Sequence, residues 1–143
     1  MQGNDIGEYW TRGQGVIFEG VLASPTESIK ENFYKSRKNW SKYLALWRPQ
    51  EIPLKAMIDS SSRLGIATDV YTFIDSEAVP AVEEWLLRKG ISVAVMYYPS
   101  VEELAYDLKF QRSINTIYVA NQDQASIIGL RSHVVDIKKA WIA

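Results

Sequence analysis

The chain has no cysteine in its 143 residues, which excludes a disulfide framework, a thiolate nucleophile and any cysteine-ligated metal. Its one histidine, His133, rules out a two-imidazole metal site and, at the start of an expected strand, reads as structural. No segment approaches the roughly 20 apolar residues of a membrane span. The opening MQGNDIGEYW lacks the basic-then-apolar order of a secretion signal. Charge of one sign is missing as well: 16 basic residues meet 17 acidic ones for a net charge of −1, so no field is available to hold a nucleic-acid backbone. Nucleotide motifs are lacking too. Gly13 and Gly15 have neither a third glycine nor a following helix, and no Lys-Ser or Lys-Thr pair closes a glycine-rich loop. No G-x-S-x-G elbow occurs, and Ser60, Ser61 and Ser62 read as helix surface or a helix end. The expectation is a cytoplasmic protein (host cytoplasm if the source is viral) with no membrane, nucleic-acid or cofactor partner.

Aromatic side chains are abundant. Five tryptophans and eight tyrosines exceed what a chain of this length needs, and such rings serve both cores and interfaces. A length of 143 residues fits one domain with its own core.

Apolar runs alternate with helix-start signals along the chain. Residues 15–22 (GVIFEGVL) read as a strand, and Ser24 with Glu27 forms a capping box around Pro25, predicting a helix from Pro25 to about Trp47. That helix is amphipathic and basic, with Ile29, Phe33, Trp40, Leu44 and Trp47 on one face and Lys30, Lys35, Arg37, Lys38 and Lys42 elsewhere. Arg48-Pro49 ends it, and a shorter helix spans 52–65. Strands follow at 66–74, 91–98, 115–120 and 133–137, separated by helices that start at Asp75, Ser100 and Asn121 and end near Gly90, Arg112 and Gly129. Apolar strands without polar alternation, joined by helices, predict an α/β Rossmann-like three-layer sandwich of about five mostly parallel strands. One domain covers 1–143, with a small helical insert at 24–64 after the first strand.

Ligands in such sheets bind beyond the carboxyl ends of the strands. The chemistry-bearing residues expected there are Glu19, Asp75 and Asp123, carboxylates of the kind a magnesium ion takes. Asp75 and Asp123 are equally suited to capping and to offsetting a helix dipole.

GVIFEGVL, VEEWLLRKGISVAVMYYPSVEELAYDL and NTIYVANQDQASIIGLRSHVVD, in that order and spacing, resemble the haloacid dehalogenase superfamily. The superfamily opens with a strand ending in D-x-D-G-[TV]-[LT], continues with a strand ending in threonine or serine, and later has an apolar strand ending in glycine-aspartate. The resemblance places Ile17 at the nucleophilic aspartate and Glu19 at the acid/base aspartate. It puts Tyr97 or Ser100 at the hydroxyl, Lys109 at the phosphate-pairing lysine and Asn121 at the metal-binding acid, with Asp123 two residues on. A second register, over Ala67 to Phe73, makes Asp69 the nucleophile and keeps Thr72.

Isoleucine cannot form an aspartyl-phosphate, and phosphoryl transfer needs a nucleophile and charge compensation. The leading expectation is therefore a non-catalytic module that binds a protein partner or itself, as in a viral or accessory assembly, with Trp10, Trp40, Trp47 and Trp141 as anchors. A magnesium-dependent phosphatase or nucleotidase using Asp69, or Glu19 with Asp123, is the alternative. A third reading is a small-anion binder at the helix starts Ser100 and Asn121, with Tyr97 nearby.

Overall fold

The structure, a computed structural model, describes residues 13–64, 67–110 and 114–135, excepting the side chains of 60–64 and 67. Trp10, Trp141 and the last two residues of the expected final strand lie outside the described residues, as do the side chains of Ser60 to Ser62.

Five strands form one parallel sheet: β1 (Gly13–Ile17), β4 (Ala67–Thr72), β5 (Val95–Tyr97), β6 (Ile114–Val119) and β7 (Ser132–Val134), in spatial order β5-β4-β1-β6-β7. The sheet grows outward from β1 in one direction, then returns to β1 and grows in the other. Every residue of β1 is buried, as a central strand covered on both faces requires. The crossovers are helical: α3 (Glu51–Leu64), α4 (Val79–Arg88, after a short turn of 3₁₀ helix), α5 (Val101–Leu108) and α6 (Gln122–Ile128). The expected α/β alternation is present, and no helix among the described residues is long and apolar enough to cross a membrane.

The start signals at Asp75, Ser100 and Asn121 work as expected. Their side chains accept from the backbone N–H groups of Glu77, Glu103 and Gln124. The region after β1 departs from expectation. The strand stops at Ile17, and the apolar residues that follow form a tight turn in which the N–H groups of Leu22 and Ala23 both donate to the Phe18 carbonyl, at 3.0 and 3.2 Å. Gly20 turns the chain at φ +85, a left-handed conformation that favours glycine. Burial rather than strand pairing explains the hydrophobicity of 18–22.

The single helix expected over 25–47 is two. Ser24 is drawn into a short antiparallel pair, β2 (Ala23–Ser24) with β3 (Arg48–Pro49), and its hydroxyl accepts from Gln50. The helix begins four residues later through a reciprocal box between Ser28 and Glu31. This α1 (Ile29–Ser36) ends where Lys38 takes φ +55, and Asn39 caps α2 (Trp40–Ala45). The break rotates the intended face: Ile29 is 89% exposed, whereas Leu44 and Trp47 are buried.

Trp47 is no surface anchor. Its ring stacks on Phe18 at 5.6 Å, and Trp85 meets the same phenyl ring edge-on at 5.3 Å. Trp40 is half-buried and packs edge-on against Tyr43. The core joins these rings to Val16, Val70, Leu86, Leu104 and Ile117, so the aromatic load of this region is spent on packing.

Candidate functional site

In a doubly wound sheet the crevice for a ligand lies where the strand order reverses, here beyond the carboxyl ends of β1 and β6. The turn after β1 delivers Glu19 to this edge. The loop after β6 delivers Ala120 and Asn121.

Glu19 does not point into an open cleft. The Thr72 hydroxyl, at the end of the neighbouring β4, donates to Glu19 Oε1 at 2.6 Å, and the Phe73 N–H donates to Oε2 at 2.8 Å. The Thr72 oxygen in turn accepts from the Ile74 N–H at 3.3 Å. Both carboxylate oxygens thus tie β1 to β4. Burial pushes the Glu19 carboxyl above its ordinary value, against the lowering effect of the Thr72 and Phe73 hydrogen bonds. Thr72 as the partner of Glu19 escaped sequence reasoning, which set it in the register of Asp69. The available signal was a hydroxyl closing the strand that pairs beside β1.

Ile17, at the position the resemblance gives to a nucleophile, is an aliphatic side chain with no exposed surface. The crevice itself is narrow. A Cβ built on Gly20 would stand 2.7 Å from the Ala120 Cβ, closer than side chains pack, so the two loops touch where a substrate would enter.

The other candidates are dispersed. Asp69 lies three residues before Thr72, paired with Gly15 rather than with the strand end. That is roughly 10 Å back along the strand, and an odd offset turns its side chain to the opposite face. Burial raises its carboxyl above the ordinary value. Tyr97 ends β5 directly beside Thr72, so it stands next to the Glu19–Thr72 pair along the edge.

Lys109 follows the C-terminus of α5, with its ammonium 5.7 Å from the Tyr106 ring centre. A helix that starts at the carboxyl edge ends at the amino edge, so Lys109 and Glu19 occupy opposite ends of the sheet. Asp75 is occupied as a cap. His133 lies exposed on the edge strand β7, edge-on to Tyr118.

A magnesium ion at this edge would meet Glu19 with both oxygens already hydrogen-bonded to Thr72 and Phe73. Among the described residues no three His, Cys, Asp or Glu side chains are grouped to hold a metal. Asp123 stands exposed in the first turn of α6. An anion is no better served. Ser100 and Asn121 already satisfy N–H groups of their helices, the Gln124 side chain accepts from the Ala120 N–H at 2.8 Å, and Glu102, Glu103 and Asp123 put negative charge in the first turns.

No protein-family model matches this chain, and no curated protein or solved structure is significantly similar to it.

Proposed function

We propose that this chain is a haloacid-dehalogenase-like α/β domain that carries out no phosphoryl transfer and works as a protein-interaction or assembly module. The strand order supports the lineage, as does the tight turn after β1, the helical excursion closed at its base by β2 and β3, and a threonine ending the strand next to the acid of the first motif. One observation carries the loss of chemistry. The carboxylate nearest the reversal of strand order, Glu19, has both oxygens committed to Thr72 and Phe73, and the residue two positions before it is the buried Ile17.

Phosphoryl transfer of the haloacid dehalogenase type needs a carboxylate free to attack and a cation to offset the phosphate charge. Here the acid is a brace between strands, and the lysine assigned to phosphate pairing sits at the other end of the sheet.

The test is hydrolysis of a generic phosphomonoester with magnesium, alongside thermal denaturation with magnesium and a fluoride–metal phosphoryl mimic. The expected result is no turnover above buffer and no rise in Tm. Magnesium-dependent turnover that Glu19→Gln or Asp69→Asn abolishes would overturn the proposal in favour of a phosphatase or nucleotidase.

A further inference from the structure

Two surface patches of opposite character lie on different elements of this chain. On α1, Ile29 is 89% exposed and Phe33 49%. Their spacing of four places them on one face with the exposed Arg37, whose guanidinium sits 4.5 Å over the Phe33 ring, and with Lys30 alongside. The opposite face of the helix turns Glu31 inward. Between Ile29 and Lys42 the chain carries five basic residues, and its single acid is that buried Glu31. The outward face is therefore apolar with a cationic border.

Along α5 and the turn after it, a similar aromatic pair has an acidic border at the start of the helix. Tyr106 is 62% exposed and Phe110 70%, their rings edge-on at 5.6 Å. Glu102 and Glu103 border them at the start of the helix, where with Tyr106 they line a shallow depression of about 340 Å³, while at its end Lys109 holds its ammonium 5.7 Å from the Tyr106 ring centre. Leu104 and Leu108 hold the other side of the helix in the core. Interfaces are enriched in aromatic residues and keep their charge at the rim. Both patches are exposed in one molecule, so neither covers the other.

We propose that the α1 face of one copy docks on the α5 face of a second copy, with Ile29 and Phe33 against Tyr106 and Phe110 and with Lys30 and Arg37 facing Glu102 and Glu103. The proposal rests on the reading that the chain works through its surfaces, and it names the partner. The charge complementarity of the two patches selects this occupant. Two different patches make a heterologous contact, which propagates as a ring or a filament rather than closing as a two-fold dimer. Each helix has eight residues, about 12 Å at 1.5 Å per residue. The contact is therefore at the small, weak end of protein interfaces, and association depends on concentration.

The experiment is sedimentation velocity on the full chain up to several hundred micromolar, at low and high salt. Concentration-dependent association that weakens as salt rises is expected. Phe33→Glu and the pair Glu102→Lys with Glu103→Lys are each expected to weaken it by at least about tenfold, with Tm unchanged for the exposed Phe33 and modestly lowered for the lysine pair, which reverses the charge in the first turn of α5. Each variant keeps one intact patch, so mixing them is expected to yield a 1:1 dimer and nothing larger.

A wild-type chain that stays monomeric overturns self-docking. So does association that ignores the substitutions, or mixed variants that stay apart. If either variant is destabilised, Ile29→Lys and the salt titration of the wild type decide the matter. None of these failures produces phosphatase turnover, so they are distinct from a failure of the non-catalytic reading.

Discussion

Replacing Glu19 tests whether it is a brace or a reactive group, because the two roles predict opposite changes in stability. Glu19→Ala removes the acceptor for the Thr72 hydroxyl and the Phe73 N–H. A buried donor left without a partner costs about 1–3 kcal/mol. The Thr72 hydroxyl can rotate in search of another acceptor, so the pair together costs about 2–4 kcal/mol. In a chain of this size that lowers Tm by roughly 5–15 °C. Glu19→Gln keeps the shape, its oxygen accepting from the Phe73 N–H and its amide donating to a Thr72 hydroxyl that has turned, and removes a charge from a half-buried position. It is expected to match or exceed the wild type at neutral pH.

The pH dependence follows with a definite sign. Burial raises the Glu19 carboxyl, so the folded chain holds this proton more tightly than the unfolded chain does. Its contribution to stability is complete below the ordinary carboxylate value and is lost as pH rises from there through the raised value. Urea unfolding followed by tryptophan fluorescence at a series of pH values reads both effects. The wild type should lose stability across that window, and Glu19→Gln should not. An alanine variant as stable as the wild type would refute the brace, since a strained functional group is the kind of residue whose removal stabilises.

Other substitutions probe the same framework by thermal or urea denaturation. Gly20→Ala should cost about 2–4 kcal/mol, from the left-handed backbone and from overpacking against Ala120; a loss below about 1 kcal/mol would mean the two loops separate easily. Trp47→Ala should cost about 3–5 kcal/mol because its ring fills the core against Phe18, and a neutral result would show it serves the surface instead. Glu31→Gln should remove stability near neutral pH. Burial raises this carboxyl, but hydrogen bonds from Thr26 and Ser28 outweigh it and hold it below the ordinary value, so its stabilisation is lost only as pH falls through that lowered value, a window below that of Glu19. Tyr71→Phe should be neutral or stabilising by up to about 1 kcal/mol, since the Tyr71 hydroxyl is buried with no hydrogen-bond partner among the described residues.

What could be read in advance was local. The caps at Asp75, Ser100 and Asn121 are satisfied within a few residues, and their signals worked. The region 24–31 held two consecutive capping boxes, Ser24 with Glu27 and Ser28 with Glu31, and local chemistry could not choose between them. The outcome depended on Arg48 and Gln50, more than twenty residues away, which draw Ser24 into β2 and leave the helix to Ser28. The break between α1 and α2 had a signal, Asn39 three residues before Lys42, but a continuous amphipathic pattern across it hid the change of face. Sheet register was not readable at all, because it is set by pairing between distant segments. That is why the resemblance alone could offer Asp69 as a second nucleophile, although its strand runs on to Thr72.

The same limit explains the site. In the sequence Glu19 stands two residues after Ile17, a spacing that within a strand would put both at one place on one face. The chain leaves the strand at Phe18 instead, and from there the turn at Gly20 sets the direction of Glu19. That turn has two consequences at once. It swings the carboxylate sideways onto Thr72 and Phe73, and it brings Gly20 against Ala120 across the one crevice the topology provides. A catalytic edge needs the reverse arrangement, with its acid facing outward and its loops apart. In this chain the geometry that supplies hydrogen bonds to Glu19 also closes the entrance beside it, so bracing the sheet and exposing a reactive carboxylate are exclusive uses of the same five-residue turn.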